Sequence, residues 1–245
     1  QLTLFDSQSD SFPIDIPMSL LFGKPPKMIR VFENSQSKLV PLETSAMQLN
    51  DAIERVLSLP SVGSKKFLIT IGDRNVGGLT MRDQMIGPWQ IPIANAAVSA
   101  ASFDDSFGEA MAIGERSPVA LIDSPAAARI AISETITNLL SADIAKLSDI
   151  KLSANWMAAA QVPEENDKLY ATVRAVGEEF CPSLDLTIPV GKDSLSMKTV
   201  WDEDGINKSV TSPLSLAITG FSPVENVTKT ITPLLKNNPD TVLML

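Results

Sequence analysis

SPAAARIAISETITNLLSA, residues 124–142, is the stretch whose reading decides the fold. Its periodicity predicts a helix. Ser124 is the expected N-cap, and Pro125 suits the first helical position because its missing N–H is not needed there. Ile132, Ile136 and Leu139 form an apolar stripe. Glu134 and Asn138 lie about 40° apart on the other side of the wheel, close to Ala127, Ala131 and Ser141. Two readings follow. The polar pair is a solvated helix face, or the small alanines let a ligand or another element approach. In the second case a carboxylate and a carboxamide supply hard oxygen ligands of the kind Mg2+ prefers. The pattern alone leaves both open.

Strands are expected on both sides of this helix. KKFLITIG (65–72), QIPIANAAVSAASF (90–103) and SPVALID (117–123) precede it. IKLSANWM (150–157) and VTSPLSLAITGFSPV (210–224) follow it, and LTIPVGKDSLSMK (186–198) reads as a strand running into a Gly-led loop. Further helices are expected in MQLNDAIERVLSLP (47–60), ended by Pro60, and in ENDKLYATVRAVGEEFCPSL (165–184). VTKTITPLL (227–235) reads as a short helix, and GEAMAIGERSP (108–118) as loop with a short helix. The spacing of strands and helices is irregular. That favours an α+β fold, a mixed sheet with helices packed on one face, over a doubly wound sheet.

Composition narrows the chemistry. The chain has 245 residues, is 44% hydrophobic and 20% charged, and carries a net charge of -9. That is ample for a core, and an acidic surface is a poor footprint for nucleic acid. No apolar run is long enough to span a membrane, and the first residues do not form a signal peptide. The chain has one cysteine, Cys181, and no histidine. Internal disulfides, Ser-His and Cys-His catalysis and histidine-bound zinc are therefore excluded. A single cysteine fits the reducing cytoplasm.

Two Gly-bearing loops could hold an anion. GDRNVGGLTMRDQMIGP (72–88) mixes charges with glycines but lacks the Gly-Lys-Ser/Thr ending of a Walker loop. VGKDSLSMK (190–198) has the Gly-Lys but neither the upstream glycine nor a following helix pattern. Each alone reads as a structural turn. Residues 7–50, rich in Pro, Ser and Lys, read as an extended connector. QLTLFD at the start and DTVLML at 240–245 read as strands that need partners from elsewhere, so the chain is expected to be an internal piece of a longer polypeptide.

Taken together, IGDRNVGGLTMRDQMIGPWQIPIANAAVSAASFD, GEAMAIGERSPVALID, SETITNLL, LSDIKLSANWMAAA and IPVGKDSLSMKT are more specific than any one of them. In this order and spacing they resemble large-type formylglycinamide ribonucleotide amidotransferase, also called phosphoribosylformylglycinamidine synthase. The resemblance is strongest over 47–222. It implies an aminoimidazole ribonucleotide synthetase-like N-terminal (ATP-binding) domain. The implied layout is a tail and connector at 1–46, the synthetase-like domain of the second half at 47–222, and a crossover with a first strand of the next domain at 223–245.

The parent family is a cytoplasmic ligase of purine biosynthesis that converts formylglycinamide ribonucleotide, glutamine and ATP to formylglycinamidine ribonucleotide. The resemblance implies a structural nucleotide, ATP or ADP, with Mg2+ in this half. Lys65 and Ala94 would contact the nucleotide, with Asn95 beside them. Asn95, Glu134 and Asn138 would ligate the metal, and Lys192, Asp193 and Ser194 would lie nearby. No catalytic residue is carried over. Position 95 departs from the family, where Asp is usual, so one negative charge is missing. The implied partners are the first synthetase half and a glutaminase domain, with no nucleic acid and no membrane. Alone, the piece is expected to be inactive and to self-associate. The alternative from the same superfamily is a stand-alone ATP-binding structural or dimerisation module.

Overall fold

The computed structural model describes residues 1–27, 29–33, 39–64, 66–72, 78–235 and 237. The chain divides into two compact units, Gln1–Val31 and Phe32–Leu245. In the first, β1 (Leu2–Asp6) and β2 (Ser11–Ile16) form an antiparallel hairpin, followed by the short α1 (Met18–Phe22). Phe5 and Phe12 stack across the hairpin with ring centroids 5.1 Å apart. In the turn, Asp6 accepts hydrogen bonds from the Ser9 hydroxyl (2.6 Å) and the Gln8 N–H (2.9 Å), which lower its carboxyl pKa. The extended connector expected from residue 7 is therefore hairpin and helix at its start.

In the second unit α2 (Leu49–Leu57) forms where its periodicity predicts. The strand expected at 65–72 is instead a helix, α3 (Lys66–Ile71). Among the described residues no strand pairs with it, and an unpaired run closes its backbone hydrogen bonds locally. The Thr70 hydroxyl donates to the Lys66 carbonyl at 2.7 Å. Then follow β3 (Thr80–Arg82), β4 (Ala96–Ala100), β5 (Gly108–Glu115), α4 (Ser124–Leu139) and β6 (Lys151–Met157). α5 (Pro163–Arg174) continues through a π turn at Ala175–Phe180 into α6 (Cys181–Ser183). β7 (Thr187–Ser194), β8 (Lys198–Glu203), β9 (Ile206–Thr211) and β10 (Ser215–Val224) complete the unit.

The main sheet runs β3-β4-β5-β10-β6-β7. All neighbours are antiparallel except β6 and β7, which are parallel. This is the mixed α+β sheet read from the sequence. α4 packs on β5 and β10, and α5 packs on α4. Ile132, Leu139, Leu152 and Ile218 are wholly buried between helix and sheet, each contributing about 1.5–3 kcal/mol of apolar burial. On the other face of β5, Met111 and Ile113 are exposed.

Several local readings change. Most of the segment 108–118 is not loop but the strand β5 inside the sheet, Gly108–Glu115, with strictly alternating burial. Its inward face is Gly108, Ala110, Ala112 and Gly114, too small to register as a hydrophobic strand face. The reason for the small residues is α4. A Cβ on Gly114 would lie 2.1 Å from the Ala131 carbonyl oxygen and 2.6 Å from Thr135 Oγ1. The element that approaches through the alanine stripe of α4 is therefore β5, and Ala127, Ala131 and Thr135 are buried. Asp123, not Ser124, caps α4: its carboxylate accepts from the Ala126 N–H at 2.9 Å. Ser124 lies inside the first turn, buried.

The stretch 117–123 is a tight 3-10 turn over Ser117–Leu121 rather than a strand, with Pro118 unable to donate to a ladder. β7 runs on through Gly191 to Ser194, so no loop begins at that glycine. Residues 227–235 are not helical. The Ile231 N–H donates to Ser141 at 2.7 Å, and Thr230 bridges Ala142. The β8–β9 hairpin, absent from the sequence reading, turns at Asp204 (φ 55°) and Gly205 (φ 77°), the paired positive φ of a type I′ turn. Residues 240–245 lie outside the described residues. Among the described residues no helix is long and apolar enough to cross a membrane.

Candidate functional site

A cleft of about 610 Å³ opens where β3, β4 and β5 meet the exposed side of α4. Its lining includes Arg82 at the end of β3, Asp83 and Gln84 after it, Ala94 and Asn95 before β4, and Glu134 and Asn138 on α4. Each group is brought there by a separate feature of the sequence. The loop from β3 to β4 closes on itself: the Ala94 N–H donates to Gln84 (2.7 Å), the Ile86 N–H donates to Pro92 (2.8 Å), and Met85 bridges Ile93. That closure delivers Ala94 and Asn95 to the mouth of β4, with Asn95 exposed and Ala94 half-buried. Arg82 is held from below, donating from Nε to the Thr230 hydroxyl at 3.0 Å.

Glu134 and Asn138 reach the cleft because Gly114 lets α4 lie close on β5. Both side chains then bind the backbone of that strand. Glu134 accepts from the Glu115 N–H at 3.0 Å, and Asn138 Nδ2 donates to the Ile113 carbonyl at 3.2 Å. Both are half-buried. This excludes a purely solvated face for the pair. Glu134 also forms an ion pair of 2.8 Å with Arg116, which follows β5.

The structure thus brings together Ala94, Asn95, Glu134 and Asn138. Lys65 lies outside the described residues. Lys192, Asp193 and Ser194 are not brought to the cleft. They lie on β7, the opposite edge of the sheet from β3. Arg116, whose guanidinium meets the α4 carboxylate, is the side chain that the sequence reading missed. The alternation of GEAMAIGE, taken as a strand of small residues, would have placed Arg116 at its end, beside the α4 carboxylate.

The donor chemistry fits a divalent cation shared with a polyphosphate. Asn95, Glu134 and Asn138 offer only oxygens, one of them on a charged group, and phosphate and water would complete the shell. Among the described residues there is no group of three His, Cys, Asp or Glu able to hold a metal without such help. The chain has no histidine and its one thiol, Cys181, is buried on another element. The cleft sets oxygen donors of the kind a hard cation prefers on the same lining as the Arg82 guanidinium.

Residues 64–223 match the family model described as the FGAR-AT PurM_N-like domain. Among solved structures, the chain is similar to PurLQS from Thermotoga maritima, at 18% identity and a TM-score of 0.57, covering 92% of this chain and 32% of that one. It is similar to T. maritima PurL complexed with ADP at 18% identity and a TM-score of 0.53, covering 91% and 32%. It is also similar to T. maritima PurL complexed with FGAR at 19% identity and a TM-score of 0.51, covering 91% and 31%. The chain spans about a third of the length of these proteins, and the likeness is one of fold.

Proposed function

The chain belongs to the FGAR-AT PurM_N-like domain family, and on that premise we propose that its cleft holds an adenine nucleotide, ATP or ADP, with Mg2+, as a fixed part of the fold. The observation that supports this is the convergence of Ala94, Asn95, Glu134 and Asn138, from two separate segments, on one cleft of about 610 Å³. A solved relative of the same fold carries ADP. In this reading Ala94, with Lys65, contacts the nucleotide, and Asn95, Glu134 and Asn138 hold the cation. The bound cation would neutralise phosphate charge. The chain's own residues fix the phosphates between the β3–β4 loop and α4. In this reading the nucleotide stays bound rather than being consumed.

The wider activity proposed is that of the parent ligase, in which formylglycinamide ribonucleotide, glutamine and ATP yield formylglycinamidine ribonucleotide in the cytoplasm. The chain would act there beside a first synthetase half and a glutaminase domain, and would be inactive alone. A second reading, a structural or dimerisation module, is favoured by one observation: Met111 and Ile113 on the open face of β5 are exposed. The two are compatible, since a ligand bound only by the native state stabilises it by mass action.

Titration calorimetry of ADP with Mg2+ tests the nucleotide reading, using the chain and its Asn95→Asp variant. The restored carboxylate should tighten binding by about fivefold to tenfold through one more charged ligand. Absence of binding by both would remove the nucleotide proposal.

A further inference from the structure

Glu134 is the one anionic group among the three proposed metal ligands, and both of its oxygens are already engaged. Oε2 accepts from the Glu115 N–H at 3.0 Å, and Oε1 pairs with an Arg116 guanidinium nitrogen at 2.8 Å. A second guanidinium nitrogen, Nη1, donates to the Glu115 carbonyl at 2.8 Å, which tethers the cation to the end of β5. Of the neighbouring carboxylates, Glu115 turns to Ser117, accepting from its hydroxyl at 2.7 Å and its N–H at 3.3 Å, and Asp83, across the cleft, accepts from the Gln84 N–H at 2.7 Å. Asn138 is fixed by the Ile113 carbonyl and carries no charge, and neither does Asn95.

We propose that Arg116 is a tethered counter-cation that competes with a divalent metal for Glu134 and so sets the metal affinity of this cleft. The proposal rests on the reading of the cleft as a nucleotide and metal site. Its physics is direct. The competitor is a guanidinium, a planar cation tethered beside the carboxylate. A metal bound to Glu134 would sit a few ångströms from that charge and be repelled by it. Arg116 is half exposed (48% against 24% for Glu134), so it can leave the carboxylate without unpacking the core. Glu134 alone cannot neutralise both a guanidinium and a divalent ion. Metal then binds well only when phosphate supplies the missing negative charge, and the displaced guanidinium is free to meet that phosphate.

The test uses the full chain and Mn2+ alone as the probe, read by electron paramagnetic resonance of the free ion. Arg116→Ala and Arg116→Gln should each bind Mn2+ about tenfold tighter than the unmodified chain, the second keeping most of the side-chain bulk. Adding Glu134→Gln to either should abolish the gain. Equal affinity of all chains for Mn2+ would overturn the proposal, as would a gain that survives Glu134→Gln. A parallel ADP titration separates the two claims. If ADP binds none of the chains, the nucleotide reading falls, while the Mn2+ comparison still decides the role of Arg116.

Discussion

Gly114 carries more of the site than any polar residue in it. Its missing side chain sets the distance between α4 and β5, and that distance lets Glu134 and Asn138 reach the strand backbone. Gly114→Ala should therefore destabilise the fold by about 2–3 kcal/mol, because the added methyl meets backbone that cannot rotate away. Urea unfolding measures this, and a loss below about 0.5 kcal/mol would show that α4 shifts freely. The sequence shows Glu134 and Asn138 on one helix face, but not which element faces them. The small residues of β5 conceal it, since glycine and alanine carry little hydrophobic signal. For the same reason Arg116 stays hidden until the strand before it is seen.

At the scale of elements, helix periodicity is legible and strand assignment less so. α2, α4 and α5 stand where their patterns place them. Among the described residues, 66–72 and 117–123, expected as strands, find no strand partner, and pairing is a property of the sheet rather than of the segment. The β8–β9 hairpin was announced by Asp204–Gly205, a two-residue turn signal that a search for longer apolar runs passes over. The N-cap is a similar case, where Ser124 is the expected cap and Asp123 stands just before it. The structure assigns the role to Asp123. Asp123→Ala should cost about 1 kcal/mol in thermal or urea unfolding. Ser124→Ala should cost less, since the Ser124 hydroxyl makes one long bond, 3.5 Å, to the Lys168 carbonyl. A larger loss at Ser124 would reverse the assignment.

At the scale of the whole molecule, Cys181 reports global opening. It is buried in the core cluster, and burial pushes its thiol pKa up. Its reaction with a thiol reagent at neutral pH should be slow and should accelerate only across the unfolding transition. The linkage has a definite sign. The stability that comes from keeping this thiol neutral is fully present below the ordinary thiol value and is lost as pH rises through the raised native one. Rapid labelling of the folded chain would contradict the burial.

The open face of the sheet makes a second prediction at this scale. With Met111 and Ile113 exposed on β5, the chain should self-associate as its concentration rises. Light scattering should show mass increasing with concentration, and a constant monomer mass would oppose that.

Amide hydrogen exchange of the full chain, with and without ADP and Mg2+, tests the central claim most directly. The account predicts protection by the ligand at 80–84, 94–99, 111–113 and 134–138, where the cleft is built. Protection centred instead on 192–194, at the far edge of the sheet, or at no segment, would contradict it.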